Sequence, residues 1–170
     1  MLQTLFAPTS VQFVLRTLLR LGVPRADVED LAQEVFMVVH RRIDAFDTNR
    51  RIEPWLFGIA KHVARDERRL ARHRHEGPAD DATAATFAAD DGAGDAHVLH
   101  RALAALPDEL REVIIACDLT ELTVAEAVVA LEVPEGTVKA RLRRGRERLR
   151  DELVRLGAGR SPIAKKERTP

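Results

Sequence analysis

The sequence predicts an all-α protein of two small helical domains joined by a flexible acidic linker, with a helix-turn-helix in the C-terminal domain. Leu, Ala, Arg and Glu dominate the 170 residues, tyrosine is absent, and apolar residues recur at helical spacing. Between 77 and 96 this periodicity stops, and Ala, Asp, Gly and Thr predominate. We therefore expect helical domains at 1–76 and 97–156 and a basic disordered tail at 157–170.

Three helices are predicted in the N-terminal domain, at about 9–21, 25–45 and 53–75. Gly22 ends the first helix and Pro24 opens the second. The second helix is apolar over a wide arc that includes Phe36 and Met37. Such a helix is either central in its own core or covered by a partner, and the residues alone favour the core.

The third helix carries a cationic stripe at helical spacing, formed by Lys61, Arg65, Arg68 and Arg72. Its apolar positions are expected to be buried, Leu70 among them. Three aromatic residues lie near the stripe in sequence, and rings beside cations are typical of single-stranded DNA binding. Core packing is the competing interpretation. We favour the core for Trp55 and Phe57 and leave both interpretations open for Phe46.

The most basic stretch of the chain runs from Lys139 to Arg150, where seven of twelve residues are Lys or Arg. At helical spacing its apolar positions form one narrow face, made of Val138, Leu142, Gly145, Leu149, Leu153 and Leu156. A helix with an apolar back and a cationic front suits the major groove of DNA. A solvated surface helix is the alternative, but such helices usually mix charges of both signs.

A short helix precedes the basic one. Thr123 and Glu126 have the spacing of a capping box. It predicts a short helix through Leu131 that buries Val124, Val128 and Leu131. A break at 132–134 follows, with Pro134 in the first turn of the basic helix. Short helix, tight turn and longer basic helix is the outline of a helix-turn-helix.

Net charge is zero, because 27 basic residues balance 27 acidic ones, and it therefore indicates no partner. Cys117 is the single cysteine, which excludes an internal disulfide, and its apolar neighbours favour a core thiol over a redox sensor. No apolar run approaches about 18 residues, so we expect no membrane insertion and a cytoplasmic location.

Three segments together resemble one family. The runs DVEDLAQEVFMVVHRRIDAFD and RIEPWLFGIAKHVARDERR resemble region two, and ALPDELREVIIACDLTELTVAEAVVALEVPEGTVKARLRRGRERLRDEL resembles region four, of bacterial sigma factors of the extracytoplasmic-function (ECF) class. They occur in the family's order and cover most of 9–155. The resemblance implies a protein that binds core RNA polymerase and directs promoter-specific initiation. It implies no cofactor, no metal and no catalytic residue in the chain itself.

The resemblance also implies roles for individual residues. Those expected to bind core polymerase are Asp30, Gln33, Glu34 and Phe36, which favours a partner over the core for Phe36 and Met37. Those expected to capture and hold the melted minus-10 element are Phe46, Asp47, Thr48, Asn49, Arg50, Arg51, Trp55, Lys61, His62 and Arg65. Those expected to read the duplex minus-35 element at base edges are Lys139, Ala140, Arg143 and Arg144, with Thr137, Arg141 and Arg146 on the DNA backbone.

Two residues depart from the family pattern. Glu132 stands where the helix-turn-helix turn usually has Gly, which would cost about 1 kcal/mol if the backbone there needs a positive φ. His62 stands where Asn is common near the flipped-base pocket. The resemblance further implies an anti-sigma partner and a linker whose five Asp, counted over 77–100, mimic nucleic-acid charge along the polymerase.

Two other functions are weighed against the sigma factor. A stand-alone helix-turn-helix regulator would bind duplex DNA without polymerase. This interpretation does not explain the basic third helix and the polar loop at 46–51, which suit the binding of a separated strand. An enzyme is the second. His73, His75 and Glu76 offer a metal-like cluster, yet no full ligand set and no catalytic motif follows.

Overall fold

A computed structural model of the chain describes residues 7–74 and 94–158. Within them the chain forms α-helices and no strand. The helices are α1 (Pro8–Arg20), α2 (Val28–Arg42), α3 (Glu53–Arg74), α4 (Asp95–Ala104), α5 (Asp108–Ile114), α6 (Val124–Leu131) and α7 (Glu135–Arg155). Most of the predicted linker and tail lies outside the described residues. The linker was predicted to reach residue 96, but α4 already begins at Asp95.

Helices α1, α2 and α3 pack against one another to form the N-terminal domain. Fully buried residues from all three make its core: Val14, Leu18, Val35, Val39, Leu56 and Phe57. The predicted bounds of α1 and α3 are confirmed to within a residue. Helix α2 begins three residues later than predicted, because the Asp27 N–H donates to the Pro24 carbonyl in a turn.

The exposed positions of α2 and α3 separate a packed side from an open one. On α2, Phe36 is half-buried and Met37 is 61% exposed, so this side lies away from the core. On α3 the buried positions end at Ala64. The prediction that Leu70 is buried is wrong, since it is 51% exposed on the turns beyond that point.

The C-terminal domain is organised around α7, which α4, α5 and α6 contact. Helix α5 widens into a π turn at Ile115–Leu119 before the chain enters α6. The capping box is confirmed, because the Thr123 hydroxyl accepts from the Glu126 N–H while the Glu126 carboxylate accepts from the Thr123 N–H. After α6, Glu132 has a φ of 58°, which completes the helix-turn-helix.

The buried side of α6 agrees with the predicted one only at Leu131. Ala127, Ala130 and Leu131 are buried, whereas Val124 and Val128 are only half-buried. The reason is that α6 packs both against α7 and against α3 of the N-terminal domain. The small residues Ala127 and Ala130 are therefore buried where α6 packs closely against these two helices. The two domains meet mainly through α3 and α6.

Gly145 is required by the contact between α7 and α5. A Cβ atom at this position would lie 2.9 Å from Ile114 Cγ1 and 3.3 Å from the Leu110 carbonyl oxygen. We expect Gly145→Ala to lower the free energy of unfolding by about 1–3 kcal/mol, as overpacking of a core does. Urea unfolding followed by circular dichroism measures this.

Gly136→Ala is the matched control for this substitution, because Gly136 lies in the same helix and nothing would come within 4 Å of its Cβ. Alanine there is expected to stabilise the protein by up to about 1 kcal/mol through its higher helix propensity. Equal effects of the two substitutions would contradict the packing argument.

Candidate nucleic-acid interface

The apolar face of α7 is buried as the sequence predicts. Val138, Leu142, Gly145, Leu149 and Leu153 are all buried, and Leu156 after the helix is half-buried. Pro134 immediately precedes the helix instead of lying in its first turn. Because the back of α7 is fixed to the domain, its opposite face is held outward.

The outward face of α7 carries exposed cations. The side chains of Lys139 and Arg143 are 63% and 73% exposed, and Arg144 and Ala140 are exposed beside them. Lys139 pairs with Glu135 and Arg143 with Glu147, each one helical turn away. Exposed pairs of this kind contribute little to stability, so a phosphate or a base can readily replace the carboxylate.

Two other predicted DNA contacts are held by carboxylates of the same domain. Arg146 donates to both oxygens of Asp118, at 3.0 Å from Nε and 2.7 Å from Nη2, and Asp118 is 8% exposed. Arg141 pairs with Glu109. These ion pairs connect α7 to α5 and the π turn, so they orient the helix. Thr137 is half-buried at its first turns.

The loop at 46–51 is polar and exposed except at its first residue. The Asp47 carboxylate accepts from the backbone and side-chain amides of Asn49, at 3.0 and 3.2 Å, and pairs with Arg50. Thr48 is exposed at the tip. Arg51 pairs with Glu126 of α6, at 3.3 Å. The loop is therefore shaped by its own aspartate and joined at one end to the C-terminal domain.

A pair of aromatic rings lies at the base of this loop. Phe46 and Trp55 stack with their centroids 4.8 Å apart and their planes at 27°, and both are half-buried. Phe57 is fully buried, which confirms the core interpretation for that residue. Trp55 is only partly in the core, so the stacked pair keeps ring surface accessible next to the loop.

The cationic stripe of α3 contacts the C-terminal domain at Lys61 and Arg65, of which Lys61 is buried and Arg65 stays 45% exposed. Lys61 is 2% exposed, and its Nζ donates to the Ala130 carbonyl oxygen at 3.1 Å. Arg65 donates from Nε and Nη2 to the two oxygens of Glu112, both at 2.6 Å. We call these contacts, together with those of Glu132 described next, the domain interface.

The two residues that depart from the family pattern contact each other. His62 Nε2 and Glu132 Oε2 are 3.1 Å apart, although the residues lie 70 positions apart in sequence. The same Glu132 oxygen is 3.6 Å from Lys61 Nζ. The positive φ anticipated for this turn residue is present, and it carries the carboxylate to α3.

Electrostatics at the domain interface follow from this geometry. Burial lowers the pKa of the Lys61 ammonium, and the Glu132 and Glu112 carboxylates oppose that shift. The charge of Lys61 lowers the pKa of Glu132, and the hydrogen bonds to Glu112 raise the pKa of Arg65. Burying an ammonium costs several kcal/mol unless a partner compensates it, so Lys61 depends on the C-terminal domain.

The residues predicted to bind polymerase share the open side of α2. Asp30, Gln33 and Glu34 are exposed, and Phe36 is half-buried at the edge of their face. Met37 follows Asp30 by seven residues, hence by about two helical turns, and so lies on that same face. Its exposure agrees with the expectation that a partner, and not the core, covers Met37.

Comparison with known proteins identifies the family. Residues 9–75 match the family described as Sigma-70 region 2, and residues 96–149 match Sigma-70, region 4. The ECF RNA polymerase sigma factor SigW of Bacillus subtilis is 35% identical over 143 residues, covering 75% of each chain. SigF of Caulobacter vibrioides is 34% identical over 136 residues, covering 79% of this chain and 74% of SigF. The chain is an ECF RNA polymerase sigma factor.

Two solved structures show the same fold. The sigma factor RpoE in complex with the anti-sigma factor NepR from Bartonella quintana has a TM-score of 0.72 at 22% identity, covering 93% of this chain and 97% of RpoE. CnrH, in complex with the cytosolic domain of CnrY, has a TM-score of 0.61 at 25% identity, covering 88% of this chain and 83% of CnrH.

As an ECF sigma factor, the protein directs promoter-specific transcription, and the stand-alone regulator is not favoured. Residues 75 and 76 of the metal-like cluster, and the side chain of His73, lie outside the described residues. No helix in 7–74 or 94–158 has the length and apolar character needed to cross a membrane.

Cys117 lies beside Asp118 in the π turn that follows α5, half-buried against the core of this sigma factor. Burial, with a smaller contribution from Asp118, raises the pKa of the thiol to about 11. A thiol in such a site is protonated at neutral pH and is a poor nucleophile. This favours the core thiol over the redox sensor.

We expect the native protein at pH 8 to react with iodoacetamide about 100-fold more slowly at Cys117 than the urea-unfolded protein does, because about 100-fold less thiolate is present. The sign follows from the raised pKa, so the native rate should keep rising with pH up to about 11. Mass spectrometry of timed samples measures both rates. If the alkylation rates of the native and unfolded proteins lie within tenfold of each other, the interpretation of Cys117 as a redox sensor would be favoured again.

Proposed function

We propose that the two domains of this sigma factor divide the promoter between them. The N-terminal domain binds core RNA polymerase through the open side of α2 and melts the minus-10 element at the 46–51 loop. The C-terminal domain reads the minus-35 element as duplex with α7. The observation that supports this most directly is the buried back of α7, which holds exposed Lys139 and Arg143 outward.

In the duplex, Lys139, Arg143 and Arg144 supply base and phosphate contacts from one side of α7. A bidentate Arg–guanine contact discriminates by about 1–3 kcal/mol, while phosphate contacts position the helix without specifying sequence. Ala140 fits a close approach of the helix to the base pairs. Arg141 and Arg146 make their backbone contacts from a helix that their own ion pairs hold in place.

At the minus-10 element, a base leaves the helical stack and enters the 46–51 loop. Flipping costs a few kcal/mol of stacking and pairing. The accessible rings of Phe46 and Trp55 offset part of this cost, since base–aromatic stacking contributes about 1–3 kcal/mol per base. Asp47, Asn49 and Arg50 supply polar groups around the flipped base.

Other proteins are part of this proposal. Asp30, Gln33, Glu34 and Phe36 contact the core enzyme, which performs all bond formation, so the chain itself is not an enzyme and needs no cofactor. An anti-sigma factor covers one or more of these faces, as the complex of RpoE with the anti-sigma factor NepR suggests by analogy. We place the protein in the cytoplasm, where transcription occurs.

The test is transcription by core RNA polymerase, with and without this protein, on a library of randomised upstream DNA. Discrete start sites that require the protein, preceded by two shared sequence elements, are expected. Duplex binding without protein-dependent starts would instead favour the stand-alone regulator.

Arg143→Ala should reduce transcription from a promoter selected in that library by about 5- to 150-fold, which corresponds to a loss of about 1–3 kcal/mol. Arg148→Ala is the control, since it removes an exposed arginine of the same helix outside the proposed set. Run-off transcription measures both. Equal losses of transcription in the two variants would mean that α7 contributes positive charge but no sequence-specific contact through Arg143.

Phe46→Ala should lower the fraction of melted promoter about tenfold in the holoenzyme, because a stacking surface worth about 1–3 kcal/mol is removed. Fluorescence of 2-aminopurine in the minus-10 element reports the flipped bases. Leu70→Ala serves as control, because Leu70 is exposed on the same domain away from the loop. Unchanged promoter melting by Phe46→Ala would contradict the proposal that the Phe46 ring stacks on a flipped base.

A further inference from the structure

Asp118 is an acidic residue in the part of the C-terminal domain that holds the DNA-reading helix. Its carboxylate accepts from Arg146 Nε at 3.0 Å and from Arg146 Nη2 at 2.7 Å, and its side chain is 8% exposed. A negative charge close to a DNA-binding surface repels phosphates. Asp118 would therefore weaken DNA binding if it acted through its charge alone.

Arg146 belongs to a groove on the surface of α7 as well as to this ion pair. The groove has a volume of about 370 Å³ and is lined by Lys139, Leu142, Arg143, Arg146, Glu147 and Arg150. Four of these six residues are cations, and the side chain of Arg146 remains 36% exposed. The groove is thus suited to an anion, and Arg146 forms part of its wall.

The pair with Asp118 uses only one edge of the Arg146 guanidinium. A guanidinium is planar and carries five N–H donors in fixed directions. Because Nε and Nη2 both donate to the carboxylate, the plane is held at two points. The end of the plane formed by Nη1 and Nη2 therefore has a defined direction before DNA arrives, which lowers the ordering cost of binding a phosphate there.

The π turn after α5 places Asp118 opposite Arg146. In this turn the Thr120 N–H donates to the Ile115 carbonyl, at 2.8 Å, over five residues instead of the four of an α-helix. Just before it, Ile114 lies so close to α7 that a Cβ at position 145 would be 2.9 Å away. Consecutive residues of α7 thus meet α5 and the π turn, and the second of them is Arg146.

We propose that Asp118 is a positioning residue for promoter recognition: it orients Arg146 toward one phosphate of the minus-35 duplex, so that an acidic residue strengthens DNA binding. This inference rests on the proposed reading of the minus-35 element by α7. It adds to that reading an acid that acts through Arg146 without touching DNA itself.

The experiment measures the affinity of the holoenzyme for a promoter selected in the transcription library, by competition binding. Asp118→Asn keeps the shape of the side chain, but an amide has a single acceptor oxygen and cannot hold the guanidinium at two points. Arg146→Lys keeps the positive charge and loses the same two-point contact. Each should weaken binding at least about fivefold, as partial loss of a charge-assisted hydrogen bond does.

Glu147→Gln is the matched control, because Glu147 is an acid of the same groove whose side chain is 53% exposed. Its neutralisation removes repulsion of phosphates and should leave the affinity unchanged or raise it. Circular dichroism of each variant checks that the helices are retained. Arg146→Lys carries the same test if Asp118→Asn does not fold.

Methylphosphonates, which neutralise one phosphate at a time, locate the contact within the minus-35 element. In the wild type, one position should weaken binding when neutralised, and Arg146→Ala should abolish the effect at that position. Asp118→Asn and Arg146→Lys should lose sensitivity at the same phosphate and retain it at the others. A loss of overall stability would not select a single phosphate.

If folded Asp118→Asn binds the promoter as tightly as the wild type, or more tightly, the positioning role is overturned. Weaker binding with unchanged sensitivity at the phosphate of Arg146 would also overturn it. A failure of the proposed function gives a different result: the wild-type holoenzyme would show no start sites that depend on this protein, or its affinity would not depend on the minus-35 element.

Discussion

A buried ammonium must have a partner, and much of this molecule follows from satisfying Lys61. Removing such a charge from water costs several kcal/mol when nothing compensates it. The compensation comes from a carbonyl at the end of α6 and from the carboxylate of Glu132, so α6 must lie directly on α3. That position in turn requires Gly58 on α3 and small residues on the facing side of α6. Lys61 thus contributes to the relative placement of the two domains, together with the ion pairs Arg65–Glu112 and Arg51–Glu126.

Helix α7 shows how a single helix separates structural cations from exposed ones. Arg141 and Arg146 are paired with carboxylates of α5 and of the π turn, and these pairs fix the helix from the side. Lys139 and Arg143 have only weak partners one turn away on α7 itself. The buried apolar back and the lateral ion pairs therefore hold the outward cations in a defined direction before any DNA arrives, which reduces the ordering cost of binding.

What the sequence predicted well was local. Periodicity and caps defined α1, α3, α7 and the capping box, because their causes lie within one or two turns of chain. The failures involved distant neighbours. A stripe at i, i+4, i+7 shows that Lys61 and Arg65 share a face, but not that another domain covers it. Packing against α3 likewise determines which side of α6 is buried, and this side does not include Val124 and Val128. The partner of Glu132 lies 70 residues away, beyond any local pattern.

The contacts of Lys61 and Arg65 with the C-terminal domain also affect how the protein is distributed in a cell. A genome offers about 10⁶–10⁹ non-specific sites, and each cation that meets a phosphate releases a counterion and strengthens such binding. Lys61 and Arg65 already have carbonyl and carboxylate partners inside the protein, so they contribute less to this background attraction than unpaired surface cations would. A weaker background attraction leaves a larger share of the sigma factor free of bulk chromosomal DNA.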